Sequence, residues 1–166
     1  VVPTTPIELF ISHAEGDGDA AGYLIDLLRS ALGLSAAQIR CTSVDGYRLP
    51  AGAHSLDQLR TEIFGSRAFV ALLSPKSLAS SFVLFELGAR WGADRHLIPL
   101  LIRGSGPKDL PQPIADLNAL NGAQEAQVQQ LVRDVAETLS ADVEAPHVWH
   151  RLLKQVVQSF ADTGVG

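Results

Sequence analysis

Short apolar runs alternate along this chain with longer segments in which apolar residues recur every three or four positions. The runs are residues 7–12 (IELFIS), 39–43 (IRCTS), 68–74 (AFVALLS) and 97–102 (LIPLLI), with a weaker fifth at 117–120. Short and rich in branched residues, they predict strands. Residues 20–32, 55–64 and 82–91 carry helical spacing. Two further helices are expected at about 125–139 and, after the break at Pro146, about 148–160. This alternation specifies a mostly parallel sheet with crossover helices. Pro99, inside the fourth run, lacks a ladder donor and weakens that strand. The longest loop is 103–113 (RGSGPKDLPQP), and no internal repeat or low-complexity segment is visible.

A chain of 166 residues is enough for one well-buried core and short for two. Its formal charge is -5, and no two Lys or Arg residues are adjacent, which argues against a surface that tracks nucleic-acid phosphates. A small anionic ligand remains compatible, because a local pocket need not follow net charge. The apolar runs fall far below the roughly 20 residues that cross a bilayer, so no membrane span is expected. The opening VVPTTP lacks the features of a signal peptide, and the single cysteine, Cys41, has no internal partner for a disulfide. Both point to a reducing, cytoplasmic setting. Methionine is absent altogether, so either a processed start or, in preference, a domain cut from a longer protein is expected.

In a doubly wound sheet, ligands bind beyond the carboxyl ends of the strands, so the loops after the first three strands hold the candidate chemistry. The first contains Gly16-Asp17-Gly18-Asp19-Ala20-Ala21-Gly22. Its glycine spacing departs from a dinucleotide fingerprint, and its two aspartates would repel a pyrophosphate; Asp17 or Asp19 is expected to cap a helix instead. The second loop, SVDGYRLPAG, reads equally as a functional loop or an ordinary surface turn. Asp45 is placed to accept hydrogen bonds from ligand hydroxyls, and Tyr47 and Arg48 suit a protein contact.

The third loop leads into SPKSLASSFVLFELGARWG, residues 74–92, where one carboxylate follows an apolar run. On a helical wheel Leu84, Leu87, Gly88 and Trp91 form one side, and Phe82, Glu86 and Arg90 the other. Two readings stay open for Glu86. It is either half of a solvated Glu86 to Arg90 pair at i, i+4 or a functional carboxylate. An unperturbed glutamate, with a pKa near 4.3, would be ionised at neutral pH. His147 and His150 lack a companion carboxylate at ligand spacing, which disfavours zinc; no metal site is expected. Cys41 lies inside a strand pattern and reads as core.

Three segments together resemble a Toll/interleukin receptor (TIR) domain of the bacterial type. They are Leu9-Phe10-Ile11-Ser12-His13, the loop 45–52, and Leu73-Ser74-Pro75-Lys76-Ser77-Leu78 running on to Phe85-Glu86-Leu87-Gly88. The likeness covers about residues 7–140. It implies a flavodoxin-like three-layer α/β/α fold with a five-stranded parallel sheet over residues 1–142. Residues 143–166 would then form an extra C-terminal helix that packs on the domain or leads out of it.

The resemblance also implies function. Some members are non-enzymatic adaptors that associate through TIR to TIR contacts, and others are NAD+ nucleosidases that cleave the bond between nicotinamide and ribose. Carried over residue by residue, it makes Glu86 the catalytic carboxylate and puts Phe82 beside the nicotinamide, where many relatives have Trp. Phe10, Ser12, His13 and Asp45 are expected to bind substrate, and Gly46, Tyr47, Arg48, Leu49 and Pro50 to form the assembly loop. NAD+ is the substrate, with no cofactor expected, and one carboxylate suffices because pyridinium leaves as neutral nicotinamide without a proton donor. The expected partners are further TIR domains and a sensor domain or subunit. A role in bacterial anti-phage defence, with ADP-ribose or a cyclic isomer as product, follows from the same likeness. Transfer to another nucleotide-sugar acceptor stays open. A phosphoacceptor receiver shares the sheet order but needs an aspartate where this chain has Leu73-Ser74.

Overall fold

The computed structural model describes residues 5–52 and 55–164. Five strands form one parallel sheet: β1 (Leu9–Ser12), β2 (Ile39–Arg40), β3 (Ala68–Leu73), β4 (Ile98–Leu101) and β5 (Leu120–Asn121), in the order β2-β1-β3-β4-β5. This is the parallel sheet that the alternation predicts, in the flavodoxin-like order that the resemblance implies. Strands β1, β3 and β4 are buried throughout, which explains their continuous apolar character.

Helices cover both faces. On one lie α1 (Gly18–Leu32), α5 (Glu125–Leu139) and α6 (Pro146–Ala161), whose apolar stripes meet Leu9, Ile11, Val70, Leu72 and Leu100 in the larger core. On the other, α2 (Ser55–Gly65) and α4 (Ser81–Gly92) cover Phe10, Phe69, Ala71, Leu73 and Leu101. Successive strand residues thus point to opposite cores, as the two-residue period requires. Helix α1 stops at Gly33, whose φ of 65° suits the left-handed cap. Helix α6 joins the larger core through Trp149, Leu153, Val156 and Phe160, spaced to form one stripe. Its packing is close: a Cβ on Gly122 would stand 2.6 Å from Phe160 Cδ2.

Several expected boundaries move. The second strand ends at Arg40 because the Cys41 N–H turns back to the Tyr47 carbonyl, 3.0 Å away. The fifth lies at Leu120–Asn121, after a 3-10 turn at Ile114–Asp116 that the weak run concealed. Pro99 is tolerated in β4 for a geometric reason. Leu101 and, two residues earlier, Pro99 face β5, but β5 pairs only from Leu100 onward, so the missing N–H falls where no partner exists.

Candidate active site

The motif Leu73-Ser74-Pro75-Lys76-Ser77-Leu78 is a device for ending β3. Ser74 Oγ accepts from the Ser77 N–H at 3.1 Å, and Ser77 Oγ accepts from the Ser74 N–H at 2.7 Å. With Pro75 in the first helical position, this reciprocal cap starts the one-turn helix α3 (Pro75–Leu78). Ser80 then caps α4, accepting from the Val83 N–H at 3.4 Å. These two caps set the rotation of α4, and with it the direction of Glu86.

That rotation differs from the helical-wheel expectation. Val83, Glu86, Leu87 and Arg90 face inward, while Phe85 is 73% exposed and Trp91 and Phe82 are about half exposed. Glu86 itself is only 3% exposed. The expected pairing with Arg90 does not form. Arg90 is wholly buried and donates to the carbonyls of Ile63, Ser66, Arg67 and His96, capping the end of α2, with its guanidinium 5.5 Å from the Phe69 ring centroid. Burial, and then the nearby Arg95 charge, lower its pKa to about 10.

Among the described residues, Glu86 is therefore left without a counter-ion. Its Oε2 is buried and makes no hydrogen bond among the described residues, and the same holds for Ser12 Oγ and His13 Nε2. Desolvation pushes the Glu86 carboxyl up to about 7, although the neighbouring Ser12 hydroxyl pulls the other way. The sequence-based expectation of an ordinary, fully ionised glutamate is corrected accordingly. The carboxylate also reaches Cys41, whose thiol burial, foremost, pushes up to about 12. Cys41 is buried core, and a thiol held that high is no nucleophile at neutral pH.

Glu86 lines a cavity of about 460 Å³ between α2 and α4. Phe82 and Phe85 form one wall, and Leu56, Arg60 and Phe64 the other, with Leu59 and Ile63 beneath. A larger groove of about 540 Å³ runs beside β2, between Pro50 and the Arg40–Glu62 pair. That pair is bidentate, at 2.6 and 2.9 Å, so its charges are already satisfied. The smaller cavity, with its uncompensated carboxyl, has the stronger chemical character.

The remaining candidates separate. Ser12 ends β1 beside Glu86 and His13 follows it, but neither lines the cavity, and His13 Nδ1 lies 2.6 Å from the Ala14 carbonyl. Phe10 is core: its ring stacks on Phe69 with centroids 5.1 Å apart, leaving no face for a ligand. The Asp45 side chain is 96% exposed and pairs with Arg48 at 3.1 Å. The carbonyls of Tyr47 and Arg48 bind Arg40, and the Tyr47 hydroxyl accepts from Arg29 at 2.9 Å, so the middle of the loop is anchored to α1 and β2. Gly46 turns the loop with φ of 87°, Leu49 packs on the smaller core, and Pro50 is exposed.

A polar cluster on the other side of β3 escaped the sequence reading. Asp17 stands at the α1 N-cap but makes no capping bond. It is completely buried, accepting from Ser74 Oγ and, at 2.7 Å, from Arg103 Nη1. Arg103 also clasps Asp19 at 2.9 and 3.0 Å. Only the position of two aspartates at the start of a helix hinted at this pairing.

The fold and the uncompensated carboxyl at the carboxyl end of the sheet define a doubly wound α/β protein with a candidate ligand crevice between α2 and α4. Residues 9–132 match the model of the TIR domain family, and the chain belongs to that family. Among solved structures it is similar to a metazoan TIR-STING receptor from C. gigas in complex with 2',3'-cGAMP, with TM-score 0.62 and 21% identity. The match covers 86% of this chain and 42% of that one, so this chain spans less than half of the receptor's length. No curated protein matches.

Proposed function

We propose that this TIR domain is an NAD+ nucleosidase in which Glu86 is the catalytic carboxylate. One observation carries the reading: Glu86 is buried, with no counter-ion among the described residues, in the lining of a cavity walled by Phe82. Maintaining such a group costs stability, a cost associated with sites that use it. In the reaction, the bond between ribose C1′ and the pyridinium nitrogen breaks and its electron pair stays on nitrogen, giving neutral nicotinamide. The ribosyl cation that develops is stabilised by ionised Glu86 in a poorly solvated cavity. Water adds at C1′ and releases a proton, giving ADP-ribose; attack by the adenine instead would give a cyclic isomer. Phe82 supplies the apolar wall against which nicotinamide stacks. The reaction calls for no metal and no further cofactor.

The exposed Leu56, Phe82 and Phe85 at the mouth fit activation by TIR to TIR assembly, which would cover them. An effector role in bacterial anti-phage defence, in the cytoplasm and under a sensor domain or subunit, extends the same reading. Incubating the full-length assembled protein with NAD+ should release nicotinamide, and Glu86→Ala should abolish the release; undiminished cleavage by that variant removes Glu86 from the mechanism.

The second reading is a non-enzymatic adaptor, favoured by the exposed Asp45–Arg48 pair, which stands apart from the cavity lining. It predicts association that is impaired by Arg48 or Pro50 substitutions and indifferent to Glu86→Ala.

A further inference from the structure

Among the described residues, the α2 wall of the cavity contains a single cation, Arg60. Arg40, Arg67, Arg90 and Arg103 are each committed to carboxylates or carbonyls. Arg60, by contrast, is exposed, lines the cavity, and makes no hydrogen bond or ion pair among the described residues. It projects from the helix facing Phe82 and Phe85, so its guanidinium and the Glu86 carboxyl belong to opposite walls of one cavity.

We infer that Arg60 binds the pyrophosphate of the substrate and thereby places the nicotinamide riboside end against Glu86. The inference rests on the nucleosidase reading for the identity of the ligand. A cavity with an anionic group on one wall and a cation on the other suits a ligand with opposite charges at its two ends, and NAD+ has this form, a pyridinium at one end and two phosphates further along. Binding in the reverse sense would set the phosphates against a carboxylate and leave the guanidinium unused. Asp57, one helical turn before Arg60 on the same wall, repels an anion from its own end of the cavity and confines the phosphates to Arg60. Arginine also matches the task chemically, because its planar fork donates two parallel hydrogen bonds to one phosphate. Arg60 is thus a specificity residue that distinguishes phosphorylated from unphosphorylated nucleosides.

Isothermal titration of the full-length protein with ADP-ribose and, separately, with adenosine tests this without requiring turnover. Arg60→Ala is expected to weaken ADP-ribose binding roughly tenfold at low salt, with adenosine binding unmoved, and Arg60→Lys to retain part of the affinity. Added salt should narrow the difference. In kinetics, Arg60→Ala should raise KM for NAD+ far more than it lowers kcat. Equal ADP-ribose affinity in wild type and Arg60→Ala, equal loss for both ligands, or no ADP-ribose binding by the wild type each overturn the inference. ADP-ribose binding that depends on Arg60 in a protein that releases no nicotinamide would overturn the nucleosidase reading and leave the phosphate site standing. Nicotinamide release with unaltered KM in Arg60→Ala would do the opposite.

Discussion

Arg90 stands one helical turn beyond Glu86 on α4 and does not neutralise it. Its guanidinium donates to the Ile63, Ser66 and His96 carbonyls at 2.7, 2.8 and 2.8 Å, so the donors that would have made an ordinary surface ion pair close the end of α2. The carboxyl is left in the low-dielectric space between the helices.

This isolation should cost stability in a pH-dependent way. The folded-state pKa of Glu86 is raised from 4.5 to about 7, so the unfolded chain ionises first as pH rises. The native state then loses stability from about pH 4.5 upward, and the full penalty, on the order of 3 kcal/mol, is present above pH 7. Glu86→Gln keeps the shape and lacks the charge. Denaturant melts should find it more stable than wild type at pH 8, with the gap closing below about pH 4.5.

Activity should follow the opposite trend, because the proposed reaction uses the carboxylate form. Nicotinamide release, read as kcat/KM, should rise with pH and level off above about 7. Bound NAD+ brings a cationic ring to the carboxyl, so the inflection in kcat should lie lower. Ser12→Ala removes the hydroxyl that favours ionisation and should move the kcat/KM inflection upward.

Phe82 is half exposed, so its loss should affect substrate more than fold. Phe82→Ala should lower kcat/KM for NAD+ by roughly tenfold while changing stability by less than about 1 kcal/mol, and Phe82→Trp should retain activity. Steady-state kinetics alongside thermal melts separates the two effects.

Arg103 has a structural counterpart to this exposure. Replacing it by Ala would leave the buried Asp17 carboxyl with only the Ser74 hydroxyl, at a cost of about 3–5 kcal/mol. Adding Asp17→Asn should recover part of that loss, and a double-mutant cycle by denaturant melts measures how much.

The three-layer architecture and the position of Glu86 after β3 were legible in the sequence because they rest on local signals: apolar period, capping serines and turn residues. The inward rotation of α4 was not. A helical wheel ranks positions by hydropathy and so assigned Trp91 to the core and Arg90 to water, whereas Arg90 earns burial through carbonyls contributed by α2 and the loops that follow α2 and α4. The Asp17–Arg103 pair joins residues 86 positions apart, beyond any local pattern. The Glu86 pKa likewise depends on which neighbours fail to reach it. Asp45 was read as facing a ligand, but its pairing with Arg48 on an exposed loop points it to solvent.

Pro99 has a further effect on the edge of the sheet. Lengthening β5 backward would align Ala119 with a residue that offers no N–H, so the ladder cannot zip further in that direction. The segment before β5 is thereby released from pairing and winds into the turn that inserts Ile114 beneath the α2–α4 layer. A missing hydrogen atom in one strand thus decides where the neighbouring chain stops being sheet and starts supporting the floor of the other face.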